Sequence, residues 1–220
     1  TFSFMTAAPS YALESEASSF APMNETQKAA VRAVLQTYQD IAGLTFVEVA
    51  DADNGGQLRF GTHLDPNSGY SGYAYYPSPN PAGGDVWINR ADAAYATPQD
   101  GNSAWWVLLH EIGHALGLKH PGPYDGDEPP YLPAATDSNQ YTVMSYNNHA
   151  EGASTGFHAS SPMLYDVATL QFLYGANTAT RAGNDTYSFN PATLNIETLW
   201  DGGGIDTLNV ANFTQDCILD

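Results

Sequence analysis

Residues 110–121 of this 220-residue chain read His-Glu-Ile-Gly-His-Ala-Leu-Gly-Leu-Lys-His-Pro and hold three of its six histidines. No other stretch limits the fold so narrowly. Positions four apart on an α-helix share one face, about one turn apart, so His110 and His114 can present two imidazole nitrogens to a single ion. Glu111 lies beside them, near enough to act on a water at that ion. A ligand six residues further on cannot share that face if the helix simply continues. Gly117 resolves this, because glycine enters the left-handed conformation cheaply and turns the chain back. His120 then approaches from outside the helix, and Pro121 prevents the helix from resuming. Three neutral imidazoles and a water make a tetrahedral zinc site with an open position, the catalytic kind rather than the closed structural kind. A lone histidine is usually a surface or core residue, and H-E-x-x-H arises by chance. The extension H-E-x-x-H-x-x-G-x-x-H fixes five positions and is far more specific.

The remaining sequence frames this segment. Twenty-four acidic residues against six basic ones leave a formal charge of -18, which repels nucleic acid and anionic membranes. At 43% hydrophobic the chain can bury a core. No apolar run approaches the ~20 residues needed to span a bilayer, and no basic-then-apolar leader stands at Thr1. The lone Cys217 excludes an internal disulfide framework and fits either a cytosolic protein or a bacterial extracellular one. Strands are expected at "TFSFMT", "LTFVEV", "QLRFG" and "DVWIN", with a short edge strand at "GYAYY" inside the loop-rich stretch 65–84. A helix is expected from Asn24, capped with Gln27, with Val31, Val34, Leu35, Tyr38 and Ile41 as its apolar stripe and Gly43 at its end. The histidine helix is expected to start at Asn102 or Ser103. A third helix is expected to open at Ser161-Pro162 and close at Gly175. A composition change near Ala176 divides an α+β domain, residues 1–175, from a short, mostly β tail rich in Gly and Asp, residues 176–220.

The full histidine pattern resembles the signature of the metzincin metalloproteases. "YTVMSYN" places Met144 in a Met-Ser-Tyr turn 24 residues beyond His120, similar to the methionine turn that lies beneath the zinc in that group. Tyr146, two positions further on, resembles the tyrosine of astacins and serralysins that can ligate the resting zinc. Proline after the third histidine is as in serralysins, where astacins usually carry glutamate. "YSGYAYYP", "GGDVWIN", "SPMLYDVATLQFLYGAN" and "WDGGGIDT" look like serralysin segments in the same order, so the resemblance runs over nearly the whole chain.

That resemblance implies a twisted, mostly parallel sheet with an antiparallel edge strand and long helices. It also implies a secreted bacterial zinc endopeptidase acting on protein or peptide substrates. Zinc would be held by His110, His114, His120 and resting Tyr146, with Glu111 as general base and the Tyr146 hydroxyl serving the tetrahedral intermediate. Substrate would add as a strand along "GYAYY", with Ala74 and Tyr75 central. "RAGNDTYSF" and "WDGGGIDT" resemble the segments that wrap the first calcium of the serralysin β-roll. The carry-over puts on that ion the carbonyls of Arg181, Gly183, Gly203 and Gly204 and the carboxylates of Asp201 and Asp206. Asp185 stands there too, where the family usually has threonine. At least one structural calcium is thus expected besides one catalytic zinc. The chain is further expected to be a monomer, to meet proteinaceous protease inhibitors, and to be exported by a C-terminal signal that lies beyond Asp220. Thr1 is expected to be a processed or engineered start. A calcium-dependent adhesion module with a decayed protease fold is the rival reading. Glu111 argues against it, since such a module has no reason to keep the base with all three histidines.

Overall fold

The computed structural model describes residues 1–52, 55–148, 155–193 and 196–214, so Cys217 lies outside the described residues. Its principal sheet has four strands in the order β1, β2, β4, β3: β1 is Phe2–Phe4, β2 Leu58–His63, β3 Gly72–Ala74 and β4 Asp85–Asn89. β1 pairs parallel to β2 and β2 parallel to β4, while β3 runs antiparallel to β4 at the edge. β2 and β4 are buried along their whole length, as expected of parallel strands covered on both faces.

Short helix α1 (Glu14–Ser19) lies against β2. The long helices α2 (Glu25–Ile41) and α3 (Ser103–Ala115) pack together, and α3 also touches β3 and β4. Asn24 caps α2 by accepting the Gln27 N–H at 2.8 Å, and Gln27 answers by accepting the Asn24 N–H at 2.9 Å. The stripe Val31, Val34, Leu35, Tyr38 and Ile41 is buried in the core, each member contributing roughly 1.5–3 kcal/mol. The buried Tyr38 hydroxyl donates to the Leu109 carbonyl at 2.7 Å and so ties α2 to α3. Helix α4 (Leu164–Tyr174) follows, and a separate parallel pair joins β5 (Thr186–Ser188) to β6 (Thr207–Asn209). Ile196 and Trp200 pack against the main core.

Three expectations are corrected. "LTFVEV" is not a strand: it meets the sheet by a single bridge between Glu48 and Phe2, with Val47 and Val49 bonded to Phe2. α1 went unforeseen, because Glu-Ser-Glu-Ala-Ser-Ser carries no apolar stripe. α4 begins two residues past Pro162, because Asp166 reaches back to accept the Met163 N–H at 2.8 Å and makes Met163 the cap.

Candidate active site

Asn102 starts α3 by accepting the Trp105 N–H at 2.9 Å. His110 and His114 then fall on one face of the helix. The chain reverses at Gly117, whose φ of +100° lies in the left-handed region. The Leu118 N–H donates back to the Gly113 carbonyl at 2.9 Å, closing the turn that returns His120. The three Nε2 atoms form a triangle with sides of 3.1, 3.0 and 3.2 Å.

The outer nitrogens explain this convergence. His110 Nδ1 donates to the Val143 carbonyl at 2.9 Å, His114 Nδ1 to the Leu118 carbonyl at 2.8 Å, and His120 Nδ1 to Asp127 Oδ2 at 2.6 Å. Each ring's proton is thereby directed outward, and three Nε2 lone pairs face one another. Burial and then the neighbouring imidazoles hold His110 well below its ordinary value and His114 down to about 4, so both rings are neutral. Lone pairs crowded in this way repel unless a cation lies between them. A triangle of this size suits three nitrogens each ~2.0–2.1 Å from one zinc ion.

Glu111 is buried, and its Oε2 has no hydrogen-bond partner. Burial, and secondarily Asp125, push its carboxyl up to about 8. Beneath α3, Met144 lies against Gly113, where an added β-carbon would come 2.7 Å from the methionine sulfur. The turn carrying Met144 is fixed from below by Asp166, which accepts the Thr142 hydroxyl at 2.6 Å and the Val143 N–H at 2.8 Å. The Val143 carbonyl also accepts Trp106 Nε1 at 3.1 Å. Tyr146 is half exposed. Its ring lies 4.8 Å from that of His120, and its hydroxyl donates to Asp125, which together with burial raises it above the ordinary tyrosine range.

Asp127 and Asp166 were not foreseen as site residues. The site residues they hold lie 7 and 23 or more positions away, and no local spacing marks such a contact. The only available signal was generic: a metal-bound imidazole needs an acceptor on its other nitrogen.

The cleft runs between β3 and α3, with Tyr70, Gly72, Ala74, Tyr76, Glu111 and Tyr146 among its lining residues. The Tyr75 N–H donates to the Asp85 carbonyl at 2.9 Å, and the Tyr75 carbonyl accepts the Gly84 N–H at 3.0 Å. By strand alternation the backbone groups of Gly72 and Ala74 point out of the sheet instead. The free edge is therefore offered by Gly72 and Ala74. The Tyr75 backbone is engaged with β4, and its hydroxyl donates to Glu16 at 2.8 Å.

In the tail, carboxylate oxygens of Asp185, Asp201 and Asp206 lie within 4.8 Å of one another. The Gly203 N–H donates to Asp201 at 2.8 Å, and the Asp185 N–H to Asp206 at 2.9 Å. The Gly183 carbonyl crowds Gly204, where a β-carbon would lie 1.8 Å from that oxygen, so only glycine fits. The Arg181 guanidinium lies 5.3 Å from the centre of the Tyr187 ring, whose hydroxyl donates to Asp201.

The matrixin peptidase family matches residues 4–125, more than half of the chain. The chain is 39% identical to a serralysin of Proteus mirabilis, with 90% of this chain and 46% of the relative aligned. It is 36% identical to the metalloprotease AprA of Pseudomonas entomophila (strain L48), with 98% and 50% aligned. Against serralysin C of Dickeya chrysanthemi the identity is 34%, with 90% and 46% aligned. The chain spans about half the length of these curated relatives.

Proposed function

Because the chain belongs to the matrixin peptidase family and is of serralysin type, we propose that it is a zinc-dependent endopeptidase cutting extended polypeptides, with Glu111 as general base. One observation carries this reading: the Nε2 atoms of three histidines converge within 3.0–3.2 Å of one another on the face that also carries the buried, unpartnered oxygen of Glu111. A zinc ion held by His110, His114 and His120 would polarise the scissile carbonyl and bring the pKa of a water towards ~7. Glu111 takes the proton of the attacking water and hands it to the leaving amine. The substrate backbone adds to the free edge at Gly72 and Ala74 as a further strand, which favours broad sequence tolerance. Tyr146, proposed as a ligand of the resting metal, turns its hydroxyl to the tetrahedral intermediate when substrate arrives.

Residues 176–220 read as the start of a β-roll region distinct from the catalytic domain. Its carbonyls at Arg181, Gly183, Gly203 and Gly204 and its carboxylates at Asp185, Asp201 and Asp206 suit a structural calcium, which takes six to eight hard oxygens. The protein is secreted in this reading, acts as a monomer, and is open to proteinaceous inhibitors that imitate an added strand. No helix among the described residues is long and apolar enough to cross a membrane. The test is Glu111→Ala in the purified chain, with zinc measured by elemental analysis and proteolysis by casein hydrolysis. Zinc content is expected to stay at one per chain while hydrolysis falls to background. Full activity in the variant, or a folded wild type without zinc, overturns the assignment.

A further inference from the structure

Among the described residues β3 is an edge strand that pairs only with β4, so the ladder to β4 alone does not hold the strand against the site. The strand also runs very close to the base. A β-carbon at Gly72 would lie 3.3 Å from Glu111 Cγ and 2.9 Å from the Trp87 carbonyl oxygen. Any sliding or lifting of β3 therefore displaces the peptide bond presented to Glu111.

The other face of the strand carries a device that resists such movement. The Tyr73 and Tyr75 hydroxyls both donate to one oxygen, Glu16 Oε1, at 2.6 and 2.8 Å. Glu16 Oε2 accepts the Leu13 N–H at 2.7 Å, and the residue is only 2% exposed. A carboxylate buried to this degree persists only where such donors surround it. Alternate residues of a strand stand ~6.5–7 Å apart. Two tyrosines reach a single oxygen only by leaning together, as these do with ring centres 5.8 Å apart and edge to face. That arrangement is satisfied at one height and one register of the strand.

We propose that Glu16 is the positioning residue of the substrate strand: from α1, through the hydroxyls of Tyr73 and Tyr75, it sets where β3 stands over Glu111 and so where an added peptide is registered. This rests on the reading of β3 as the peptide-binding edge. Glu16 touches neither substrate nor metal, and the face it holds is the one that Gly72 and Ala74 leave free.

The experiment uses the zinc-loaded full chain and a series of peptide substrates of increasing length. Glu16→Ala is expected to raise KM for the long peptides about 10-fold or more while kcat changes little, cancelling the gain that each added residue brings. Glu16→Gln, which keeps a carbonyl acceptor for the hydroxyls, is expected to recover most of that loss. Amide hydrogen exchange supplies a readout free of activity: the N–H groups of Tyr73 and Tyr75 should exchange faster in Glu16→Ala, with β2 and α3 unchanged. If Glu16→Ala does not fold, the double variant Tyr73→Phe/Tyr75→Phe gives the same two measurements. An equal loss at every peptide length, or exchange quickened across the whole sheet, makes Glu16 a stability residue only and overturns the proposal. A wild type that cleaves no peptide refutes the protease reading instead, while the exchange measurement still reports on the clamp.

Discussion

For a single side chain at this site, what matters is where one proton sits. Asp127 and the Val143 and Leu118 carbonyls hold the imidazole protons on the outer nitrogens, leaving three inner lone pairs free. Tyr146 is placed by contacts of another kind: its ring rests 4.7 Å from Tyr124 and 4.8 Å from His120, and its hydroxyl reaches Asp125. The packing therefore survives loss of the hydroxyl, and Tyr146→Phe isolates what the oxygen does. We expect kcat to fall roughly 100-fold, the scale of one lost oxyanion donor, while zinc content measured by elemental analysis hardly changes. Unchanged turnover would leave Tyr146 a packing residue. The convergence of the three histidines could be read from the sequence because it is carried by spacing within one helix and one turn, whereas the proposed role of Tyr146 came only from the resemblance to serralysins. Asp127 could not be foreseen, because a single aspartate in an acidic loop looks like every other.

Among the elements, the decisive one is the reversal after α3. An added β-carbon at Gly117 would meet nothing nearer than 3.8 Å, so space does not demand glycine there; the φ of +100° does. Gly117→Ala is expected to cost about 1 kcal/mol or more in stability, read as a lower Tm. It should also weaken zinc in a competition titration, because relaxing the turn draws His120 off the triangle. A variant with wild-type zinc affinity would show that His120 is held by Asp127 alone. α2 and α3 were legible because stripe and caps agree with each other, as in the Asn24–Gln27 pair. "LTFVEV" alternates as a strand should, yet it flanks a β1 only three residues long, and one bridge is all that edge supports. α1 was hidden because its one buried residue is a glutamate, whose reason for burial lies on β3.

In the whole molecule, charge decides how it responds to its surroundings. With a formal charge of -18 and three carboxylates meeting in the tail, neutralisation should stabilise. A calcium-selective chelator is expected to lower the Tm and leave zinc in place, and Asp206→Ala should mimic it. Melting indifferent to both makes the tail an ordinary acidic surface. Acid acts on the core by another route. Asp85 is buried beside Tyr11, whose hydroxyl it accepts at 3.0 Å, and burial raises its carboxyl from 3.8 to about 7. The folded state thus binds this proton more tightly than the unfolded one. Its stabilising contribution is full below about pH 4 and is lost as pH rises towards 7. Asp85→Asn should therefore gain in Tm relative to wild type progressively between pH 4 and 7. A Tm difference flat across that range would show that Asp85 does not titrate there. The outward bonds of the three histidines also impose an order of assembly. His114 and His120 find their acceptors 4 and 7 residues away, whereas His110 must wait for a carbonyl 33 residues downstream. Short loops close at lower entropic cost than long ones. The His114 and His120 rings are therefore oriented at lower entropic cost than His110, whose orientation depends on the methionine turn docking against α3.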